Sequence, residues 1–268
     1  MTYTFGPGGL TPAIRAILFA NIGVFVVTMF AQGADGSNPI INLFGLRPSA
    51  FLTQGRLWQI VTYLFLHASV SHILFNMLAL WMFGTDLERR WGTQAFTRYY
   101  FFTGIGAGVS TILISLLPLD SVQTMYRAAT VGASGAIYGL LMAWALVFPH
   151  RTILFMMLCA LLAGEWVWRI VFPHRPILFM ILFPLPARVV VLIMGTIAFL
   201  SAMNVSGSVV NEFAHLGGLV AGWLYLKGPT NLRLDLKYRL TKWRMDRMRR
   251  RFDVHRGGGD DHWNNRVH

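Results

Sequence analysis

The sequence predicts an all-α integral membrane protein, a bundle of six helices that each cross the bilayer. Of its 268 residues, 55% are hydrophobic and 13% are charged, and the mean hydropathy is +0.52. A soluble protein cannot cover its surface with so little charge. Several segments also approach the length of about 20 apolar residues that a spanning helix needs. The single cysteine excludes an internal disulfide and a cysteine-rich metal site.

Six apolar segments are predicted to span the bilayer. The first begins after Thr11-Pro12, where proline suits the first helical turn. A long connection over 33–70 follows, and its amphipathic middle, 56–61, suits the membrane interface. A connection of this length between apolar spans is often functional. The six segments are 13–31, 71–84 with an upward extension over 64–69, 94–117, 131–148, 177–203 and 213–226.

The formal net charge of +12 does not indicate nucleic-acid binding. Lysines and arginines lie in short connections, such as Arg89-Arg90, and in a basic C-terminal tail. Cationic segments next to apolar spans mark the cytoplasmic side of a membrane. We therefore predict a membrane domain over 1–230 and a cytoplasmic tail over 231–268, held near an anionic lipid surface. Six crossings then place both termini in the cytoplasm.

Ser134 lies in the segment 132–139, Gly-Ala-Ser-Gly-Ala-Ile-Tyr-Gly, which opens the fourth predicted helix. The small residues around it, including Gly132 and Gly135, let a substrate backbone approach. A backbone N–H at a helix start can also point at a developing oxyanion. This pattern favours a nucleophile. Helix packing alone is the alternative, because glycine-rich faces often serve that purpose in membranes.

His215 is an ionisable residue inside the last predicted span, which makes it a functional candidate by default. Two small-residue faces could bring its helix next to the serine helix. They consist of Gly135 with Gly139 and Gly218 with Gly222. Such packing would allow His215 Nε2 to reach Ser134 Oγ, the geometry of a general base. The alternatives are a histidine bonded to a carbonyl and a proton-relay residue of a transporter.

His67, His72 and Asn76 form a third polar group. His72 and Asn76 are four residues apart and share one helix face. Both could therefore donate hydrogen bonds to the negative oxygen of a tetrahedral intermediate. Metal ligation by His67, His72 and His215 is the alternative, and it is disfavoured because no intramembrane carboxylate or cysteine joins them. We expect neither a metal nor a cofactor.

These segments, in this order, resemble the rhomboid family of intramembrane serine proteases over roughly residues 10–228. The serine segment is similar to the Gly-x-Ser-Gly motif of the family, and 214–222 is similar to its Ala-His-x-x-Gly-x-x-x-Gly motif. Two further motifs match. They are the His/His/Asn pattern at His67, His72 and Asn76 and the Gly-x-x-x-Glu-x-x-x-Gly pattern at Gly84, Glu88 and Gly92.

The resemblance implies a six-helix bundle with a Ser–His dyad, no third carboxylate, and a water-filled cavity open to the outer side. Ser134 would be the nucleophile and His215 the general base and acid. His72 and Asn76 would stabilise the oxyanion, and Tyr138 would stack on the His215 ring. The long first connection would be embedded in the membrane, and the fifth helix would form a lateral gate.

The implied partners are the lipid bilayer and single-pass membrane proteins, cut near the outer interface at small residues of an easily unwound helix. The rival class is a catalytically inactive relative that binds unstable membrane helices, which usually lacks the serine or the histidine. A transporter fits less well, because the chain lacks two halves of matching hydropathy. Short soluble regions and the absence of a transit-peptide composition favour a bacterial inner membrane.

The sequence departs from the family pattern between the fourth and fifth helices. Residues 147–156 recur at 171–180 with one substitution, an offset of 24 residues, so we infer a tandem duplication with an insert over 152–175. Ser134 and His215 both lie near the N-terminal ends of their helices. They meet only if one crossing separates those helices, since a second would part them by most of the roughly 30 Å hydrocarbon thickness. We predict that the insert forms a helical extension or hairpin on the cytoplasmic side.

Overall fold

The computed structural model describes residues 8–34, 36–118, 120–149, 152–154, 184–203 and 209–228, with the single positions 245 and 247. Contacts divide the chain into two compact units, Met1–Leu226 and Lys227–His268, and the candidate site lies in the first. Most of the predicted tail, 231–268, and most of the predicted insert, 152–175, lie outside the described residues. The domain bounds therefore stay predictions.

The first helix, α1, spans Pro12–Phe30 with proline at its start, within one residue of the predicted bounds. It is apolar and long enough to cross a membrane, as is the helical stretch Val70–Trp91; their mean hydropathies are 2.0 and 1.2, and these two are found among the described residues. The outer surface of α1 is apolar, with Phe19 60% and Phe30 87% exposed. Such a surface suits contact with lipid tails, which are as apolar as the side chains.

The long connection after α1 is folded into short helices. They are α2 (Pro39–Phe44), α3 (Pro48–Thr53) and α4 (Gln59–Thr62), followed by a 3-10 turn over Tyr63–Phe65. Asn38 caps α2, because its side chain accepts hydrogen bonds from two backbone N–H groups at the helix start. Trp58 Nε1 donates to the Leu43 carbonyl over 3.0 Å and ties α4 to α2. The connection is thus a folded element of the protein.

The second long helix begins at Val70, so the predicted upward extension over 64–69 is wrong. Leu66 is extended, with φ −94° and ψ 142°. Ser69 Oγ accepts a hydrogen bond from the His72 N–H over 3.2 Å and caps the new helix. The helix continues further at its other end. It comprises α5 (Val70–Ala79), a π-helical turn (Leu80–Gly84) and α6 (Thr85–Trp91).

Glu88 on α6 joins the starts of two other helices. Its carboxylate accepts hydrogen bonds from the Ala13 N–H over 2.9 Å and the Ile14 N–H over 3.1 Å, at the start of α1. It also accepts from the hydroxyls of Thr11 and Thr93. The residue is 2% exposed, and burial of a carboxylate is tolerated only when donors compensate for lost water. Glu88 therefore holds the helix ends together.

Gly84 and Gly92, the two glycines of the Gly-x-x-x-Glu-x-x-x-Gly motif, affect helix packing and the end of α6. A Cβ at Gly84 would lie 2.5 Å from the terminal methyl group of Ile14, so a larger residue here would force the Ile14 side chain on α1 to move. Gly92 has φ +81° and ends α6, a conformation that glycine adopts without strain. Gly84, Glu88 and Gly92 thus have structural contacts away from the serine.

Three helices follow α6, and two agree with the third and fourth predicted spans to within a few residues. They are α7 (Thr93–Ser115), α8 (Asp120–Arg127) and α9 (Ser134–Val147). The sequence predicts only a polar connection where α8 lies. Leu46 and Thr130 exchange backbone hydrogen bonds of 3.0 and 2.8 Å, which fasten the first connection to the segment just before α9.

Beyond α9, two short strands form an antiparallel ribbon that the all-α prediction lacks. β1 (Thr152–Leu154) pairs with β2 (Pro184–Pro186), and this pairing brings the two ends of the stretch together. Residues 155–183 lie outside the described residues, so the predicted extension or hairpin stays a prediction. The described part of the fifth span starts only after β2. The last two helices are α10 (Ala187–Met203) and α11 (Val209–Lys227).

Glycines bring α9 and α11 into backbone contact. A Cβ at Gly218 would clash with the Gly135 carbonyl oxygen, and a Cβ at Gly222 would lie 3.1 Å from Gly139 Cα. Both contacts advance by four residues in the same direction, so the two helices run parallel with their N-terminal ends together. The predicted packing of the two glycine faces is confirmed, and the described fold is a helical bundle.

Candidate active site

Ser134 is the first residue of α9, so its backbone N–H has no acceptor within the helix. Gly132, two residues earlier, has φ +121°, a conformation that residues with a Cβ rarely adopt. The Gly132 N–H donates to the Tyr63 carbonyl over 2.9 Å. Ala133 between them is fully buried. A fixed, tight turn therefore sets the position of the serine.

His215 on α11 reaches this serine. Its Nε2 atom lies 2.9 Å from Ser134 Oγ, and the predicted contact between hydroxyl and imidazole is confirmed. The contact is close to the point where Gly218 packs on the backbone of Gly135. The His215 side chain is 13% exposed. A neutral imidazole in this position can accept the hydroxyl proton.

Tyr138 lies one helical turn after Ser134 and packs on the imidazole. The Tyr138 and His215 rings are stacked, with centroids 4.3 Å apart and planes inclined by 7°. The expected stacking is therefore present. Tyr138 is itself buried, at 3% exposure, so a fixed ring holds the plane of the histidine.

His72 and Asn76 on α5 face the turn that precedes Ser134. A Cβ placed on Gly132 would lie 2.7 Å from His72 Nε2 and 3.6 Å from Asn76 Nδ2. Asn76 Nδ2 is buried and has no hydrogen-bond partner among the residues that the structure describes. Tyr100 Oη and Trp144 Nε1 are also buried without a partner among these residues, so it is the position of Asn76 beside the turn before Ser134 that makes it a candidate oxyanion donor. His67 packs edge-on against His72, with ring centroids 4.9 Å apart.

The geometry also bears on the alternative of a metal site. His67 and His72 contact each other through their rings, whereas His215 contacts Ser134 and Tyr138. Within the described ranges, no three His, Cys, Asp or Glu side chains are grouped so that they could hold a metal ion. The oxyanion role of His72 and the absence of a metal both stay predictions.

Glu212 is the residue that the sequence analysis misses. Its Oε2 atom lies 3.3 Å from His215 Nδ1, so the statement that no carboxylate joins the histidines is wrong for His215. The dyad without a third carboxylate, which the resemblance implies, stays a prediction, since a contact alone assigns no catalytic role. Glu212 precedes His215 by three residues on α11, and residues at this spacing share a helix face. That spacing is the signal that could have revealed it.

The rhomboid domain family matches residues 54–228, more than half of the chain, and the match includes every residue of the site described above. The chain belongs to the rhomboid family. Rhomboids are embedded in membranes, which accounts for the apolar outer surface of this one. Leu192 and Leu200 on α10 are 70% and 59% exposed, as expected of side chains that face lipid.

This rhomboid is similar to several bacterial members. Rhomboid protease AarA of Providencia stuartii is 32% identical over 142 residues, 51% of this chain and 50% of that protein. Rhomboid protease GluP of Bacillus subtilis is 32% identical over 110 residues, 41% of this chain and 20% of that protein. Putative rhomboid protease YdcA of Bacillus subtilis is 29% identical over 173 residues, 65% of this chain and 67% of that protein. The chain thus spans half or less of the length of AarA and GluP.

Proposed function

We propose that this rhomboid is an intramembrane serine endopeptidase that cleaves transmembrane segments of single-pass membrane proteins. The 2.9 Å contact between Ser134 Oγ and His215 Nε2 carries the proposal. It joins a hydroxyl and a base at two helix starts that backbone packing holds together. The names of AarA and GluP as proteases support the reaction class, and the membrane location of the family supports the substrate class.

In the proposed reaction, Ser134 Oγ attacks the carbonyl carbon of the scissile peptide while His215 Nε2 takes the hydroxyl proton. The carbonyl oxygen becomes an oxyanion. It accepts hydrogen bonds from His72 Nε2–H, the Asn76 amide and the Ser134 backbone N–H. Collapse of the tetrahedral intermediate breaks the C–N bond, and His215 gives its proton to the leaving amine. An ester on Ser134 remains.

Water completes the reaction. It adds to the ester carbonyl while His215 takes one of its protons, and the second collapse releases the new carboxylic acid and returns a proton to Ser134 Oγ. The 13% exposure of His215 and the 23% exposure of Glu212 support access of water to this side of the site. The proposed chemistry needs no cofactor.

We propose that cleavage occurs at small residues in a locally unwound part of the substrate helix. Ser134 stands between the buried residues Ala133 and Gly135, which leave little room around the hydroxyl. A regular substrate helix keeps its carbonyls in internal hydrogen bonds and surrounds them with side chains. An extended segment with a small side chain can bring its carbonyl carbon to the serine.

The proposed topology has six crossings in a membrane domain over 1–230, with both termini and the basic tail over 231–268 in the cytoplasm. The parallel course of α9 and α11 supports a single crossing between them, which we assign to α10. We propose a bacterial inner membrane, because the three relatives named above are bacterial. Other similar proteins, from Arabidopsis thaliana and Saccharomyces cerevisiae, include mitochondrial ones, and fractionation of the source cells decides between these membranes.

Cleavage of a reporter transmembrane helix by the purified protein in lipid vesicles tests the function. We expect serine-dependent cleavage by the wild type, reduced at least roughly 10⁴-fold in Ser134→Ala and His215→Ala. A fluorophosphonate should label Ser134 in the wild type and lose this labelling in His215→Ala, because the hydroxyl is activated by the imidazole. Ser115→Ala is the matched control, since Ser115 is a buried serine at the end of α7 whose hydroxyl donates to the Ile112 carbonyl; it should retain activity.

The alternative function is that of an inactive rhomboid-like protein that binds membrane helices. It predicts reporter binding that is equal in the wild type and in Ser134→Ala, with no cleavage and no labelling. The pairing of an intact hydroxyl with an intact imidazole favours the enzyme, because a binding protein needs neither. Binding without any cleavage under these conditions would overturn the proteolytic proposal.

A further inference from the structure

Glu212 lies beside His215 on the side of the imidazole that is remote from Ser134. Its Oε2 atom is 3.3 Å from His215 Nδ1, whereas Ser134 Oγ is 2.9 Å from His215 Nε2. The Glu212 and His215 side chains are 23% and 13% exposed, so both are partly buried. Both ring nitrogens of the histidine therefore have an oxygen partner.

The backbone of α11 sets the contact between Glu212 and His215. Glu212 stands in the first turn of α11, where the helix dipole already favours an acidic side chain. That preference explains a glutamate at this position but does not explain its contact with the imidazole. The spacing of three residues places both side chains on one helix face. The helix dipole alone therefore does not explain the contact between Glu212 and His215.

The carboxylate decides where the ring proton of His215 resides. A neutral imidazole carries one proton, and Nε2 can accept the Ser134 proton only when that proton is on Nδ1. A carboxylate next to Nδ1 accepts a hydrogen bond from this N–H and favours the reactive tautomer. When Nε2 takes the serine proton, the resulting imidazolium also has a negative charge beside it.

Tyr138 and Glu212 constrain the His215 ring in different ways. The stacked tyrosine, with planes inclined by 7°, fixes the plane of the ring. The contacts at Nδ1 and Nε2 fix its rotation within that plane. We propose that Glu212 is a positioning residue that orients His215 and selects its Nδ1–H tautomer, so that the reactive group is Ser134–His215–Glu212. This inference rests on the proposed proteolytic function.

Glu212→Leu and Glu212→Gln, assayed in lipid vesicles against a reporter helix, test the inference. In Glu212→Leu we expect kcat to fall roughly 10- to 100-fold, a part of the total effect of about 10²–10⁴ that general acid–base catalysis supplies. The KM should stay within about twofold, because Glu212 acts through His215 and does not bind substrate. Glu212→Gln should lose less, since its amide oxygen still accepts from Nδ1–H but carries no charge.

A spectroscopic readout separates this inference from the function on which it rests. In protein with ¹⁵N-labelled histidine, the wild type should show the His215 Nδ1–H proton of the bonded tautomer, and Glu212→Leu should lose that signal. This measurement needs no substrate. Absence of cleavage by the wild type would refute the proteolytic function, whereas an unchanged Nδ1–H signal in Glu212→Leu would refute only the role of Glu212.

Glu88→Gln is the matched control, the same substitution at a carboxylate whose contacts are all structural. It should lower thermal stability and leave the kcat of the folded protein within about twofold, the reverse of the Glu212 variants. The inference is overturned if Glu212→Leu and Glu212→Gln both retain wild-type kcat. It is also overturned if the two variants lose activity only in proportion to a loss of folded protein. That result is expected if the contact is purely structural.

Discussion

Two carboxylates of this protein are placed in opposite ways. Glu88 is 2% exposed and accepts hydrogen bonds from two helix-start N–H groups and two hydroxyls. Glu212 is 23% exposed and contacts one nitrogen of a histidine that itself contacts a serine. A fully satisfied buried group stabilises one arrangement of the chain. A group that is only partly satisfied, next to a hydroxyl and an imidazole, stays available for chemistry.

Two asparagines, Asn76 and Asn38, differ in a similar way in the hydrogen bonds that their side chains make. Its Nδ2 group is buried without a partner in the described part of the chain, whereas the Asn38 side chain caps α2 and also donates to the Thr28 carbonyl over 2.8 Å. A change of Asn38 should therefore affect stability. A change of Asn76, which faces the turn before Ser134, should affect rate.

Among changes outside the Ser134–His215 pair, Gly132→Ala should have the largest effect on rate. Its Cβ would lie 2.7 Å from His72 Nε2, so it displaces the oxyanion donors from the position next to Ser134. We expect kcat to fall by roughly 10³-fold or more, since losing one such donor costs about 10²–10³. Gly36→Ala is the control, because Gly36 also has positive φ, +78°, but nothing within 4 Å of an added Cβ. Equal losses of activity in both variants would show that backbone strain alone is responsible.

Asn76→Ala should have the next largest effect. It removes one oxyanion donor, and we expect kcat to fall about 10²–10³-fold with KM nearly unchanged. Thermal stability should change little, because the deleted amide group has no partner among the described residues. Asn38→Ala should show the opposite pattern, a stability loss of about 1 kcal/mol from the lost cap and a normal kcat. An Asn76→Ala protein with wild-type kcat contradicts the proposed donor role.

Glu88→Ala should have the smallest effect on rate and a clear effect on stability. The substitution leaves the buried N–H groups of Ala13 and Ile14 without their acceptor, and each such group costs about 1–3 kcal/mol. We expect the free energy of unfolding to fall by roughly 3 kcal/mol, measured by thermal or denaturant unfolding in detergent. The kcat per folded molecule should be unchanged. A loss of kcat at normal stability would contradict the structural role that we give to Glu88.

The central contacts of the site follow from sequence spacing. The glycine faces on the serine and histidine helices predict their packing, and this packing brings Ser134 and His215 to 2.9 Å. Tyr138 follows Ser134 by four residues, and the structure stacks it on His215. A helix repeats every 3.6 residues, so these relations hold as long as the segments are helical.

Other features depend on contacts that sequence patterns do not encode. Hydrophobicity continues through 64–69, yet the helix starts at Val70 because Leu66 is extended and Ser69 acts as a cap. The helix α8 forms in a segment that is too polar to resemble a span. Glu212 escapes notice because an acidic residue in a first turn is common for reasons unrelated to catalysis. Its spacing of three residues from His215 indicates a shared helix face, but the contact with Nδ1 also depends on the orientation of the ring.

The ribbon of β1 and β2 has a consequence for how this chain could acquire extra length. Because the strands pair antiparallel, with Leu154 opposite Pro184, the two ends of the intervening stretch lie side by side. As long as this pairing is kept, a gain or loss of residues between the strands leaves the relative depth of Ser134 and His215 unchanged. The junction is therefore a permissive point for genetic duplication, and a repeat of 24 residues could become established there without selection against its effect on the reactive pair.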